Sequence, residues 1–123
     1  MPDHLARDRA SIEPAMVDTR RALHRHPELA FCEHATAALV AERLRALGLQ
    51  PRTGIGGTGV IADLEGAHPG QTLLLRAELD ALPLDELDGR SYGSELAGRM
   101  HACGHDAHMS ALLGGGGAAG IAP

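Results

Sequence analysis

A chain of 123 residues is long enough for one domain with a real core. Its 44% apolar and 22% charged residues exclude a disordered polypeptide, and 2% aromatics with no Trp exclude the stacking platforms of single-strand nucleic-acid binders. The whole formal charge of -5 falls after residue 77, where Glu78, Asp80, Asp85, Glu86, Asp88, Glu95 and Asp106 face only Arg90 and Arg99. Such a field repels phosphate backbones and attracts cations. Cys32 and Cys103 are too few for a disulfide framework, residues 1–11 lack the apolar centre of a signal peptide, and no run approaches the roughly 18 apolar residues of a membrane span. The default expectation is a cytoplasmic protein with neither nucleic-acid nor membrane partners.

In chain order, Ser11 reads as an N-cap and Pro14 as part of a first turn, which predicts a helix from there to about Arg25, stopped by Pro27. Leu39, Val40, Leu44 and Leu47 recur at helical spacing and predict a second helix over 33–47, with Gly48 as its stop. Gln50 to Thr53 suits a short strand, and Gly54–Gly59 a turn. Gly59–Glu65 then reads as a strand, and Thr72–Leu79 as a buried one. Asp80–Arg99 is a long polar loop, of the kind that in compact domains is either functional or disordered. A third helix begins near Asp106 and includes Met109, Leu112 and Leu113. The run Gly114–Gly117 should end it, because each interior Gly costs about 1 kcal/mol relative to Ala.

Three groups of residues bear on chemistry. The Gly-rich run at 54–59 lacks the Lys-Ser/Thr of a phosphate-binding loop and precedes a strand, so a hairpin turn is the better reading. Cys103 and His105 flank Gly104, with His101 and His108 on either side. Thiolate and imidazole both suit Zn²⁺ and related ions, and Gly104 leaves the backbone free to turn both toward one ion. On spacing alone, that pair and a buried Cys beside surface histidines stand level. Glu78 and Asp80 alternate onto one side where an apolar strand ends, a place where a carboxylate can orient a metal-binding histidine. Taken alone they read equally as two solvated acids.

Together these residues resemble a known family. Arg21-Ala-Leu-His-Arg-His-Pro-Glu-Leu29, Gly56-Gly-Thr-Gly-Val-Ile61, Leu75-Arg-Ala-Glu-Leu-Asp-Ala-Leu-Pro83 and Met100-His-Ala-Cys-Gly-His-Asp-Ala-His108 follow the order and spacing of the amidohydrolase branch of the dinuclear-metal peptidases and aminoacylases. That branch includes hippurate hydrolases, N-acyl amino acid amidohydrolases and indoleacetyl-amino-acid hydrolases. The resemblance covers residues 15 to 113. It implies an α/β fold: the N-terminal part of a zinc-peptidase-like catalytic domain, a mixed sheet flanked by helices, here incomplete. It implies that Cys103 and His105 are metal ligands and that Asp80 is the catalytic-site carboxylate that orients a ligand. Glu78 stands where many members carry Asp, while His24, His26 and Glu28 fit a helix-end motif with a structural role. His101 and His108 match the motif without being ligands.

The activity so implied is hydrolysis of the amide of N-acyl amino acids or peptide-like small molecules by metal-activated water. It uses two divalent ions per complete site, Zn²⁺ or Mn²⁺ first and Co²⁺ or Ni²⁺ as alternatives. In the family the general-base Glu and remaining ligands lie downstream, and a smaller inserted domain supports a homodimer. Residues 1–113 therefore read as a portion of the catalytic domain, and 114–123 as a Gly/Ala-rich tail, disordered or truncated. Lys and Asn are absent throughout. The expectation is a truncated or frameshifted reading frame, or a piece of a longer enzyme. The alternative to an enzyme is a non-catalytic fragment, at most a weak metal-binding or interaction module whose unpaired sheet edges favour association.

Overall fold

A computed structural model of the chain describes residues 2–118. Three helices and one hairpin follow in the order α1 (Pro2–Arg25), α2 (His34–Ala46), β1 (Arg52–Ile55), β2 (Gly59–Ile61) and α3 (His105–Ala118), an α/β arrangement. α1 starts well before Ser11, so Ser11 is not its cap, and Pro14 lies inside the helix. Ile12, Met16, Thr19 and Leu23, spaced four, three and four apart, line the face of α1 that lies along α3.

α2 closes as the sequence predicts. Gly48, at φ +84°, donates to the Arg45 carbonyl at 2.9 Å, and Leu49 to that of Leu44 at 3.1 Å. This is a Schellman closure, which needs a left-handed residue that Gly supplies without strain. At the other end, Glu33 makes no capping bond with its side chain. Glu28 does that work from outside the helix, accepting from the Thr36 N–H at 2.6 Å and the Ala35 N–H at 3.2 Å. Burial opposes ionisation of Glu28, but these bonds outweigh it and hold its carboxyl below the ordinary value.

β1 and β2 pair antiparallel through Arg52↔Ile61 and Ile55↔Gly59; β1 lies two residues later than expected, and β2 stops at Ile61 rather than Glu65. Thr72–Leu79 forms no ladder at all. Leu73, Leu74 and Leu75 are 80%, 83% and 63% exposed, which corrects the expectation of a buried strand. A strand exists only through its backbone partners, and the first bridge that follows this segment is at Ala81. There the Ala81 N–H donates to the Glu28 carbonyl at 2.8 Å, and Leu82 exchanges two bonds with Met100 at 2.9 and 3.0 Å. These bridges fix both ends of the long polar loop. Inside it, Asp85 accepts from the Gly98 N–H and Glu86 from the Ser94 N–H, each at 2.6 Å.

α3 starts at His105 and runs through the glycines to Ala118, not to 113. The reason is packing: a Cβ on Gly114 would run into the thioether of Met16 on α1. Glycine lets the two helices approach closely enough to offset its poor propensity. The remainder of the expected tail, 119–123, lies outside the described residues. Leu23, Val40 and Met109 form the apolar centre, with Leu39, Leu44, Val60, Ala77, Leu79 and Leu113 packed around it. Among the described residues, none of the helices is long and apolar enough to cross a membrane.

Candidate metal centre

The Ala81 and Leu82 bridges bring Glu78 and Asp80 against the first residue of α3. Gly104, at φ +87°, turns the chain into that helix, and its carbonyl accepts from the His108 N–H at 3.1 Å. His105 is buried, and its Nδ1 lies 2.9 Å from the Asp80 carbonyl oxygen and 3.0 Å from Asp80 Oδ1. The other nitrogen, Nε2, faces Glu78 Oε2 at 2.7 Å. Arg76 donates to the second Glu78 oxygen at 3.0 Å. One ligand atom from each of Glu78, Asp80 and His105 lies within 4.8 Å of the others.

Of the residues singled out from the sequence, Asp80 and His105 are thus brought together. Cys103 is exposed, with a free thiol, and is not one of this group of three. His108 is also exposed, its ring centroid 6.0 Å from that of His105. The donor set suits a divalent transition ion. An imidazole whose Nδ1 is held by a carboxylate is the usual orientation of a metal-binding histidine.

Behind His105 lies a polar cluster that sequence reasoning saw only in part. Asp106 is wholly buried and accepts on Oδ2 from His24 Nδ1 at 2.7 Å and Arg20 Nε at 2.9 Å. The second nitrogen of His24 lies 2.8 Å from Glu86 Oε1. Arg20 also donates to the Tyr92 hydroxyl at 3.2 Å, and that bond and charge hold the phenol below its ordinary range. Burial works against ionising Asp106, yet the His24 bond and the Arg20 charge leave its carboxyl below the ordinary value. Glu86 is shifted the same way, its desolvation outweighed by His24, the Ser94 N–H and Arg90. His101 is buried, with no partner on either ring nitrogen among the described residues, and burial pushes its pKa down. Arg20 and His24 sit one turn apart on α1, a spacing visible in the sequence. Glu86 and Tyr92 sit in the loop, where no periodicity marks them.

Comparison with known proteins agrees with this geometry. Residues 74–120 match the model of peptidase family M20/M25/M40. The chain is 44% identical over 114 residues to thermostable carboxypeptidase 2 of Saccharolobus solfataricus, covering 92% of this chain and 29% of that protein. It is 42% identical over 103 residues to the N-acyl-L-amino acid amidohydrolase of Geobacillus stearothermophilus, covering 84% and 28%. Bacillus subtilis YxeP, a dinuclear metal-binding peptidase of the M20 family, superposes with a TM-score of 0.80 at 34% identity, over 85% of this chain and 29% of that one. The chain therefore spans under a third of the length of these relatives. On these matches it belongs to peptidase family M20/M25/M40, with amidohydrolases among the relatives it matches.

Proposed function

We propose that the chain forms part of a metal-dependent amidohydrolase acting on N-acyl amino acids or similar small amides. The observation that carries this reading is His105, its Nδ1 against Asp80 and its Nε2 against Glu78, three side chains close enough to share one divalent ion. Relatives named for N-acyl-L-amino acid and hippurate hydrolysis support the substrate class. Cys103 and His105 would hold metal, with Zn²⁺ or Mn²⁺ as the candidates. When bound, such ions polarise the scissile carbonyl and activate water. Asp80 keeps the imidazole in the tautomer and orientation that present Nε2. The buried Asp106, next in the chain, anchors the start of α3 to α1 through His24 and Arg20. The two exposed, free cysteines accord with a reducing, cytoplasmic setting. Homodimerisation belongs to the same proposal, as a property of the longer family members.

A second reading follows from the chain's spanning under a third of its relatives: a non-catalytic metal-binding fragment. By the family resemblance, the general-base Glu lies downstream of the Cys-Gly-His-Asp segment. Hydrolysis of hippurate and N-acetyl amino acids, assayed with Zn²⁺ or Mn²⁺, separates the two. Metal-dependent turnover that disappears in Cys103→Ser supports the enzyme. Metal retention without turnover supports the fragment, and failure to retain either ion contradicts both.

A further inference from the structure

We infer that the cavity between the three helices is a binding site for a small organic monocarboxylate with an apolar body and a second hydrogen-bonding oxygen. None of Glu78, Asp80, Cys103 or His105 lines this cavity, so the inference stands apart from the metal-binding reading. Its volume is about 240 Å³, and its apolar walls are Ile12 and Met16 of α1, Leu47 at the end of α2 and Leu113 of α3. An apolar cavity of about 150 Å³ takes benzene, so this one has room for a molecule somewhat larger than one aromatic ring.

Two polar side chains set the chemistry of the occupant. Arg43 is the one charged residue among those lining the cavity, and it is exposed, its guanidinium without an ion pair or hydrogen bond among the described residues. A single guanidinium matches a single carboxylate through two parallel bonds. A dianion such as phosphate would bring a second charge against apolar walls with nothing to compensate it. Ser110 is the opposite case: it lines the cavity, is 3% exposed, and its Oγ has no partner among the described residues. A buried hydroxyl is costly to leave unpaired, and an oxygen on the body of a ligand would accept from it. Exposed Arg43 and buried Ser110 therefore order the occupant, carboxylate outward and second oxygen inward, with aliphatic carbon against Met16, Leu47 and Leu113. An N-acyl amino acid carries this sequence of groups: a carboxylate, an amide carbonyl and an aliphatic side chain.

The test is titration of the purified chain with N-acetylleucine, with a chelator present so that no metal centre takes part. Calorimetry reads the affinity, and the methionine methyl signals in NMR locate the site. The Met16 methyl is expected to shift, while that of Met100, which does not line the cavity, stays. Circular dichroism checks that the variants fold. Arg43→Gln is expected to bind N-acetylleucine roughly tenfold more weakly, the loss of a charge-assisted bond, and to bind uncharged N-acetylleucinamide as the parent does. Ser110→Ala is expected to weaken N-acetylleucine but not isocaproate, which has the carboxylate and the aliphatic chain without the amide. No shift at Met16, or parental binding of N-acetylleucine by Arg43→Gln, overturns the inference. Equal effects of Ser110→Ala on both acids overturn the second oxygen.

Discussion

His24 lies between two carboxylates, 2.7 Å from Asp106 and 2.8 Å from Glu86, and its ring is 1% exposed. The cluster thus buries an imidazole between two carboxylates, with Arg20 alongside. Removing one partner from such a set costs about 3–5 kcal/mol, because the others stay buried and uncompensated. Asp106→Asn is therefore expected to lower stability by about 3 kcal/mol at neutral pH, measured by urea unfolding. The pH dependence has a definite sign. Asp106 and Glu86 are held below their ordinary values of 3.8 and 4.5, so the unfolded chain binds more protons there. Their contribution is complete above those values and is lost as pH falls through the lower folded ones. Buried His101 is moved below its ordinary 6.5 and acts in the same direction, starting higher. Stability should thus fall in two stages, first below about pH 6.5 and then below about pH 4. His101→Gln should remove the upper stage, and an unchanged upper stage would assign it elsewhere.

At the scale of elements, what the sequence disclosed depended on whether the cause was local. α2 was legible at both its stripe and its stop, because Leu39, Val40 and Leu44 and the Gly48 closure all act within a single stretch of chain. Its true cap was not, since Glu28 reaches in from beyond the intervening turn. The start of α1 was misread because Ser11 and Pro14 resemble a first turn, while packing on α3 tolerates a proline in the interior. The glycines of α3 misled for the same reason: propensity predicts a break, and contact with Met16 at Gly114 prevails. Gly115 has nothing within 4 Å of where its Cβ would be. Gly115→Ala should accordingly stabilise the chain by about 0.5–1 kcal/mol, the ordinary helix gain. Gly114→Ala should lose that gain to the clash. Thermal unfolding of the two variants side by side checks this, and equal stabilisation would remove Met16 as the cause.

At the scale of the molecule, the interior is unusual in its balance. Among the described residues, Thr19, His24, Glu33, Thr36, His101, His105, Asp106 and Ser110 are buried beside Leu23, Ala37, Val40, Ala41, Ala81 and Met109. Polar groups outnumber apolar ones, while Leu73, Leu74 and Leu75 face solvent. The leucine run reads as a strand covered on both faces, yet no described segment pairs with it. Sequence pattern alone therefore read Thr72–Leu79 as a buried strand, because it could not show which neighbours the segment has. The sequence pointed to Cys103, His105 and Asp80, of which the fold brings Asp80 and His105 together; the closeness of Glu78 to His105 required the fold. The central claim is that His105, held by Asp80, binds a divalent ion. Equilibrium dialysis of the chain against Zn²⁺ or Mn²⁺, followed by metal analysis, tests it most directly. The parent should retain metal and His105→Ala at least tenfold less at the same free concentration, whereas equal retention by the two, or none by the parent, would contradict the account.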